Sequence, residues 1–314
     1  MKYAFVFPGQ GSQHIGMGLD LYRNFKSAKD VFDEVDEALG QHLFDLMTSG
    51  SDADLTLTTN AQPAIMAVSI ATLNVLEQEF GLNIKDKITF VAGHSLGEYS
   101  AACAAGVFSL ADTAKLLRLR GSAMQQAVPV GMGAMAAILG VALEDVGALI
   151  EAASDADNYC VLANDNIAGQ VVLSGHTKAI ERAVELAPEF NAKKAVMLNV
   201  SAPFHSPLMK SAEQVMADAL GKVSAKDSMP AIVQNVTALP ETKKDVIIKN
   251  LVAQVTATVR WRETMDFLNE QGITDIVELG PSSVLTNMCK RAYKNIYAVA
   301  PHSGTELEEI ANNL

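Results

Sequence analysis

The sequence predicts an α/β protein with a mainly parallel sheet and a smaller subdomain inserted into it. Short apolar runs rich in β-branched and aromatic residues alternate with helix-compatible stretches, as in parallel sheets that are buried on both faces. One such run, residues 88–92, leads into a tight glycine turn and then into an alanine-rich helix. Between residues 129 and 198 the order becomes strand, helix, strand, strand, helix, strand, and the α/β pattern then resumes.

The composition restricts the class of protein and its partners. A chain of 314 residues with 49% hydrophobic and 19% charged residues can bury a large core. A net charge of -12 argues against nucleic acid or an anionic membrane as a partner. The three cysteines, Cys103, Cys160 and Cys289, are far apart and lack metal-binding spacing, which predicts reduced thiols, no metal site and a cytoplasmic location. The N-terminal apolar run is too short for a signal peptide, and no segment has the length of a membrane span.

The first predicted strand, residues 3–7, enters a loop of glycines and amides. A dinucleotide fingerprint would need glycine at the position of His14, and no Gly-Lys-Ser/Thr follows, so neither nucleotide motif is present. The loop instead places Gln10 and Gln13 near the carboxyl end of a strand, where α/β proteins build their sites. Helices are predicted over residues 25–46 and 60–80, the second with Pro63 in its first turn.

The turn at Gly93-His94-Ser95-Leu96-Gly97 fits the nucleophile-elbow pattern G-x-S-x-G. Its glycines allow a sharp turn around Ser95, and the following helix directs free backbone N–H groups at that position. We interpret Ser95 as a nucleophile; the alternative is a purely structural glycine turn. The next helix carries Arg118 and Arg120, and spacing alone does not separate a solvated Arg120 from a ligand-binding one, whereas Arg118 is expected in solvent.

The inserted subdomain spans residues 129–198 and has the β-α-β-β-α-β order of the ferredoxin-like pattern. The core is then formed by residues 1–128 and 199–314. Within the subdomain the predicted strands and helices are residues 134–139, 143–153, 159–164, 170–174, 177–190 and 194–198. The predicted elements that follow are strands 231–237, 275–279 and 296–299 and helices 244–254 and 263–271.

A serine nucleophile needs a base, and six histidines are available. His205 follows a predicted strand and is bracketed by Pro203 and Pro207, a rigid mount that favours it as the base. His94 adjoins Ser95, and adjacent residues across a sharp turn usually point apart. No acidic residue between positions 95 and 205 stands out as a third triad member, so a neutral acceptor behind a serine–histidine dyad stays open.

Seven motifs together resemble one family, the malonyl-CoA:acyl carrier protein transacylases of bacterial type II fatty acid synthesis. They occur in order over the whole chain: FPGQGSQ (7–13), NAQPA (60–64), GHSLGE (93–98), LRG (119–121), GQVV (169–172), PFHS (203–206) and ELGP (278–281). The resemblance implies an α/β-hydrolase-like core with an inserted ferredoxin-like subdomain, in agreement with the boundaries drawn above.

The resemblance also implies roles for particular residues. Ser95 would accept the acyl group, and His205 would act as general base and acid. The Leu96 N–H and the Gln10 region would form the oxyanion hole, and Arg120 would pair with the malonyl carboxylate, which its planar fork suits. Further residues that the resemblance places at the substrate are Gln254, whose main-chain carbonyl would orient His205, Phe204, which matches members that take unbranched malonyl groups, and His94, Gln62 and Asn164.

The implied reaction is ping-pong transfer of malonyl from malonyl-CoA through Ser95 to the phosphopantetheine thiol of acyl carrier protein, with no bound cofactor or metal. Because carrier proteins are acidic, docking would need a local cationic patch, for which Lys193, Lys194, Lys290 and Arg291 are the candidates, with Lys294 beside them. Two other functions stay open: a serine esterase or thioesterase with the same elbow, and a non-catalytic acyl-CoA or carrier-protein binding module.

Overall fold

A six-stranded, mainly parallel sheet and a separate four-stranded antiparallel sheet organise this computed structural model, which describes residues 2–200 and 202–314. Met1 and Ser201, which fall within the terminal run and the His205 loop of the sequence analysis, lie outside the described residues. The strands are β1 (Tyr3–Phe7), β2 (Ile88–Gly93), β3 (Gly133–Leu139), β4 (Cys160–Ile167), β5 (Gln170–His176), β6 (Lys194–Met197), β7 (Ala231–Val233), β8 (Pro240–Glu241), β9 (Asp275–Glu278) and β10 (Tyr297–Val299).

Helices surround both sheets. In chain order they are α1 (Leu19–Asn24), α2 (Lys26–Leu39), α3 (Leu43–Ser49), α4 (Asp52–Thr56), α5 (Thr58–Gln78), α6 (Ile84–Lys87), α7 (Gly97–Ala104), α8 (Leu110–Gln126), α9 (Leu143–Ala153), α10 (Thr177–Leu186), α11 (Lys210–Leu220), α12 (Lys244–Gln254), α13 (Trp261–Glu270), α14 (Val284–Ala292) and α15 (Gly304–Asn313). Short 3₁₀ turns cover Ala187–Phe190 and Pro207–Met209.

The large sheet has the order β10-β9-β1-β2-β7-β8, and only β8 runs antiparallel to its neighbour. Its central strands are continuous apolar runs because helices cover both faces, as the sequence analysis predicted. Parallel strands place all their carboxyl ends at one edge, where polar loops can converge. The ends of β1, β2 and β7 therefore meet there, although they come from three distant parts of the chain.

The second sheet has the order β4-β5-β3-β6 and is antiparallel throughout. With α9 and α10 it encloses its own apolar core, separate from the two clusters that flank the large sheet. It is joined to the core segment before α13 by reciprocal backbone bonds: Asp165 N–H donates to Val259 O (3.0 Å), and Val259 N–H donates to Ala163 O (2.8 Å).

Several predicted elements have different bounds in the structure: the helix predicted over residues 177–190 ends at Leu186, the strand predicted over 231–237 ends at Val233, and two further helices differ as follows. The stretch predicted as one helix over residues 25–46 is two helices, α2 and α3, because Gly40 adopts a left-handed conformation (φ 59°) that ends α2. The helix predicted from residue 60 begins at Thr58, so Pro63 lies beyond the first turn. The earlier start is stabilised by Leu57 O, which accepts the N–H groups of Asn60 and Ala61. No helix in the described part of the chain is long and apolar enough to cross a membrane.

The close contact between α5 and α8 requires a glycine at position 121. A Cβ on Gly121 would lie 2.6 Å from Thr58 O, so Gly121→Ala must push the two helices apart. We expect it to lower the free energy of unfolding by about 1–3 kcal/mol in urea denaturation. Gly147→Ala in α9 is the matched control: a Cβ there meets nothing within 4 Å, and alanine should add up to about 1 kcal/mol. Equal effects of the two substitutions would contradict the close approach of α5 and α8.

Candidate active site

The serine of the elbow lies in a turn that only glycines permit on either side. Ser95 adopts a left-handed conformation (φ 54°) between the end of β2 and the start of α7. A Cβ on Gly93 would lie 1.9 Å from Gly97 O, and one on Gly97 would lie 2.1 Å from Phe7 O. The G-x-S-x-G spacing therefore follows from the contact of the turn with itself and with β1.

His205 is in direct contact with Ser95, which is 110 residues away in sequence. Its Nε2 lies 2.7 Å from Ser95 Oγ, and its Nδ1 lies 2.8 Å from the main-chain oxygen of Gln254. A carbonyl oxygen only accepts, so Nδ1 carries the proton and Nε2 is free to accept the serine proton. His205 is buried and, like Ser95, has a positive φ (56°). This is the geometry of a nucleophile with its base.

The imidazole of His205 is held in its neutral form. Burial lowers its pKa to about 3, and the positive charge of Arg120 adds to that effect. The Gln254 carbonyl works in the opposite direction by accepting from Nδ1. A neutral imidazole is the form that a general base needs.

Arg120 lies beside the dyad, and no carboxylate of the described residues is in direct contact with it. Arg120 is 1% exposed, with Nη1 donating to Gln62 Oε1 (2.8 Å) and Nη2 donating to Gln254 Oε1 (2.8 Å) and Ser95 Oγ (3.2 Å). Its Nε has no partner among the described residues, and none of their carboxylates lies within the 4.0 Å of an ion pair. A buried cation surrounded by neutral amides is costly unless an anion joins it, which favours an anionic ligand.

A cavity of about 290 Å³ collects most of the candidate residues. Gln254 lies behind this cavity and reaches it through its contacts with Arg120 and His205. The cavity is lined by Gln10, Gly11, Gln13, Thr56, Gln62, His94, Ser95, Leu96, Arg120, Met124, Met135, Asn164, Leu198, Asn199, Val200, Phe204 and His205.

Two backbone N–H groups at the cavity suit a developing oxyanion. Leu96 lies at the N-terminus of α7, and its N–H has no acceptor in residues 2–200 and 202–314. Gln10 is held in its loop by Thr58 Oγ1, which donates to Gln10 Oε1 (2.8 Å). The loop presses against the elbow, since a Cβ on Gly9 would lie 2.8 Å from His94 O. Both predicted oxyanion residues thus line the same cavity as Ser95.

His94 lies at the cavity but is not placed as the base. Its Nε2 shares a hydrogen bond with Asn166 Oδ1 (2.8 Å), and its ring is tilted against that of Trp261, with centroids 5.6 Å apart. Desolvation lowers the pKa of His94, so it also is neutral. Within the described residues, no group of three or more His, Cys, Asp or Glu side chains is arranged to hold a metal ion.

The structure brings together only part of the predicted cationic patch. Leu139 pairs with Gln170 on β5 and with Lys194 on β6, and Arg291 Nη2 donates to Gln170 Oε1 (3.0 Å). Lys193, Lys194 and Arg291 therefore lie at one end of the antiparallel sheet. Lys290, next to Arg291 in α14, lines a different surface pocket, together with residues of α15.

The expectation that Arg118 is solvated is wrong. Its side chain is half-buried, because its two terminal nitrogens donate to Asn60 Oδ1 (2.5 Å) and Gln41 Oε1 (2.6 Å). Arg118 thereby ties α8 to α5 and to the turn after α2.

Sequence reasoning missed Asn235, which spans the elbow. Its Oδ1 accepts from Ser95 N–H (2.8 Å), and its Nδ2 donates to Gly93 O (2.7 Å). Asn235 follows β7, the strand next to β2, whereas the sequence analysis placed it inside a strand predicted over residues 231–237. The available signal was the polar pair Gln234-Asn235, which ends the apolar run of that strand.

Comparison with known proteins places the chain among acyl transferases. The family model described as "Acyl transferase domain" matches residues 4–311. Malonyl CoA-acyl carrier protein transacylase of Bacillus subtilis (strain 168) is 44% identical over 299 residues, which are 95% of this chain and 93% of the relative. The protein of the same name from Escherichia coli (strain K12) is 39% identical over 301 residues, 95% of each chain.

Solved structures agree with these relatives. The acyl-carrier-protein-S-malonyltransferase of Bartonella henselae has a TM-score of 0.97 and 49% identity, covering 100% of this chain and 99% of that one. A second structure, a type II PKS acyl-carrier protein in complex with its malonyl-transacylase, has a TM-score of 0.95 and 38% identity, covering 100% of both chains.

The role of Asn235 can be tested with a reagent that reacts with activated serines. Asn235→Ala removes both bonds that hold the elbow, so we expect labelling of Ser95 by a fluorophosphonate to slow by about 10- to 100-fold. Asn24→Ala is the control, because Asn24 is exposed and bonds only within α1. Labelling at the unaltered rate in Asn235→Ala would contradict the role of this residue in holding the turn.

Because His205 is neutral in the folded protein, its imidazole should titrate well below the usual range of histidine. Because the folded pKa is depressed to about 3, the imidazole should stay uncharged as the pH falls through 6.5 and down to 5. Nitrogen-15 NMR of histidine-labelled protein measures this directly. Arg120→Ala should move the titration of His205 toward higher pH, since it removes the cation that helps to lower the pKa. A His205 that titrates near 6.5 in the unaltered protein would rule out this picture of the base.

Proposed function

We propose a mechanism from one premise: this chain belongs to the acyl transferase domain family. It transfers the malonyl group of malonyl-CoA to the phosphopantetheine thiol of acyl carrier protein, in fatty acid biosynthesis, by a ping-pong reaction through an ester on Ser95. The residue roles below are supported by the geometry of the site and by the resemblance of its motifs to those of the family.

The position of Arg120 is the observation that supports malonyl as the acyl group. Its buried guanidinium, 3.2 Å from the oxygen of the nucleophile, lies where the free end of a short acyl group would be during attack on its carbonyl. A malonyl group presents a carboxylate there, and a planar guanidinium binds a carboxylate through two parallel hydrogen bonds. The acyl group that satisfies the site is therefore one with a terminal carboxylate.

In the first half-reaction His205 Nε2 accepts the proton of Ser95 Oγ as the oxygen attacks the thioester carbonyl. The tetrahedral oxyanion then accepts from the Leu96 and Gln10 N–H groups; a preorganised donor of this kind contributes about 3–4 kcal/mol to transition-state stability. When the C–S bond breaks, His205 returns the proton to the leaving sulfur. CoA departs, and malonyl remains on Ser95 as an ester.

The second half-reaction reverses these roles with a different thiol. His205 accepts the proton of the phosphopantetheine S–H, and the sulfur attacks the malonyl ester carbonyl through the same oxyanion site. The C–O bond to Ser95 breaks, and His205 protonates Ser95 Oγ. No net proton is gained or lost. This fits a dyad in which His205 Nδ1 keeps its proton throughout and donates it in a hydrogen bond to the Gln254 carbonyl.

Substrate binding also makes His205 a stronger base. In the free enzyme Arg120 lowers the pKa of the imidazole because no carboxylate of the described residues is in direct contact with its positive charge. A malonyl carboxylate on Arg120 balances that charge, so the imidazolium formed during attack is repelled less. Recognition of the acyl group and activation of the nucleophile are thus coupled through one cation.

The remaining substrate contacts and the docking surface belong to the same proposal. Gln62, His94, Asn164 and Phe204 shape the cavity around the malonyl group. The cationic end of the antiparallel sheet, with Lys193, Lys194 and Arg291, has the charge that an acidic carrier protein needs, and Lys290 is the neighbour of Arg291 in α14. The cytoplasmic location stays a prediction from the sequence.

We assign the finer fold in the same way. The order β4-β5-β3-β6 within residues 129–198, with α9 and α10 packed on it, supports the ferredoxin-like description of the inserted subdomain. The elbow between β2 and α7, in a sheet with five parallel strands, supports the α/β-hydrolase-like description of residues 1–128 and 199–314.

Replacement of Arg120 tests the substrate assignment. Arg120→Ala should lower kcat/KM for malonyl-CoA by about 30-fold to several thousand-fold, the effect of about 2–5 kcal/mol expected for a buried charge pair that loses one partner. Acyl groups without a carboxylate should be tolerated or improved. Arg118→Ala, two residues away on α8, is the control that changes stability but not this preference. Equal losses for malonyl and acetyl groups would disprove the carboxylate contact.

Product analysis separates the rival functions. Intact-mass measurement after brief mixing with malonyl-CoA should show one malonyl group, mapped to Ser95, which disappears when holo-carrier protein is added. Free malonate as the main product, with or without carrier protein, would indicate a hydrolase. A Ser95→Ala variant with full activity would indicate a binding module.

A further inference from the structure

Glu98 is a fully buried carboxyl group that the mechanism above does not use. It lies in the first turn of α7, three residues after the nucleophile, and is 1% exposed. Its Oε2 accepts from Gln254 Nε2 (2.6 Å), and its Oε1 accepts from Asn235 N–H (3.3 Å). Both partners are themselves in contact with Ser95.

Gln254 joins this carboxyl group to Arg120. Its side-chain Oε1 accepts from Arg120 Nη2 (2.8 Å), while its Nε2 donates to Glu98 Oε2 and to Ser95 O (2.8 Å). The amide dipole thus has its negative end on the cation and its positive end on the carboxylate. In the free enzyme Glu98 and Arg120 balance each other through one neutral residue, without direct contact.

We propose that Glu98 is a positioning residue that serves as the counter-ion of Arg120 in the free enzyme and takes up one proton from solvent when a malonyl carboxylate binds Arg120. This inference rests on the proposed function. With malonyl bound, Arg120 would have two carboxylates near it and only one positive charge to offer. Protonation of Glu98 keeps the buried network neutral, and its oxygens can still accept from Gln254 and Asn235.

The surroundings of Glu98 allow its carboxyl group to take up and release a proton. Burial raises the pKa of Glu98 to about 7, against the smaller opposing effects of Gln254, Asn235 and Arg120. The other ionisable groups around the network are Tyr99, whose ring lies 5.6 Å from the Arg120 guanidinium carbon, and the neutral His94 and His205. No ionisable side chain is found in residues 4–7 of β1, 88–93 of β2, 58–76 of α5 or 231–233 of β7.

The direction of the pH effect follows from these charges. Below pH 7 Glu98 is already protonated in the free enzyme, so malonyl-CoA binds without proton uptake. Above pH 7 each binding event must draw a proton from solvent, so affinity falls as the pH rises. CoA itself has no carboxylate for Arg120 and should show no such dependence at Glu98.

Calorimetry in buffers of different ionisation enthalpy measures the proton count. Ser95→Ala holds malonyl-CoA without transfer, and we expect its uptake at pH 8 to exceed that of Ser95→Ala with Glu98→Gln by about 0.9 proton, against about 0.1 at pH 6. The titrating groups of CoA are common to both variants and cancel in the comparison. CoA replaces malonyl-CoA as the control ligand and should show no difference between the variants.

Infrared spectroscopy provides a test that leaves position 98 unaltered. In Ser95→Ala labelled with carbon-13 glutamate, malonyl-CoA at pH 8 should produce an isotope-shifted stretch of a protonated carboxyl group. Equal proton uptake in both variants, or no such band, would overturn the role of Glu98 while leaving malonyl transfer intact. If Ser95→Ala bound malonyl-CoA no more tightly than CoA, the proposed function and this inference would both fail.

Discussion

The charge of Arg120, which no carboxylate contacts directly in the described part of the chain, governs the electrostatics of the whole site. The guanidinium is buried and its hydrogen-bond partners are the neutral Gln62, Gln254 and Ser95, so its field is weakened neither by water nor by a carboxylate in direct contact. That field lowers the pKa of His205 and stabilises the ionised form of Glu98. A low local dielectric makes each of these effects large, and it makes the arrival of a substrate anion equally consequential.

The fold makes this site possible by bringing distant segments to one sheet edge. Ser95 follows β2, Asn235 follows β7, Gln10 follows β1, and these three strands are neighbours in the sheet. Arg120 comes from α8, which packs closely on α5 because residue 121 is glycine. The close contact of Gly97 with the carbonyl of Phe7 then fixes the nucleophile against the loop that carries Gln10. Close backbone contacts at Gly97 and Gly121 therefore fix the positions of the reacting atoms.

Local patterns predicted the elbow, the base and most elements, because each is encoded within a few residues. The G-x-S-x-G turn and the two prolines around His205 are of this kind. Helical spacing alone did not predict that the side chains of Arg118 and Arg120 are buried, because it does not show which neighbouring element supplies their hydrogen-bond partners. The Gln254 carbonyl has no side-chain signature and was reached through the resemblance alone. Asn235 depends on β7 lying beside β2, a pairing across 140 residues that sequence periodicity does not reveal.

The choice of a main-chain carbonyl behind His205 follows from the same electrostatics. A carboxylate at that position would add a second negative charge near Arg120, besides Glu98, and would oppose binding of the malonyl carboxylate. It would also raise the pKa of His205 in the empty enzyme, before a substrate is present. The carbonyl of Gln254 fixes the imidazole tautomer without adding charge, while the side chain of the same residue orients Arg120. One residue thus holds the base and the cation in place and leaves the positive charge for the acyl group.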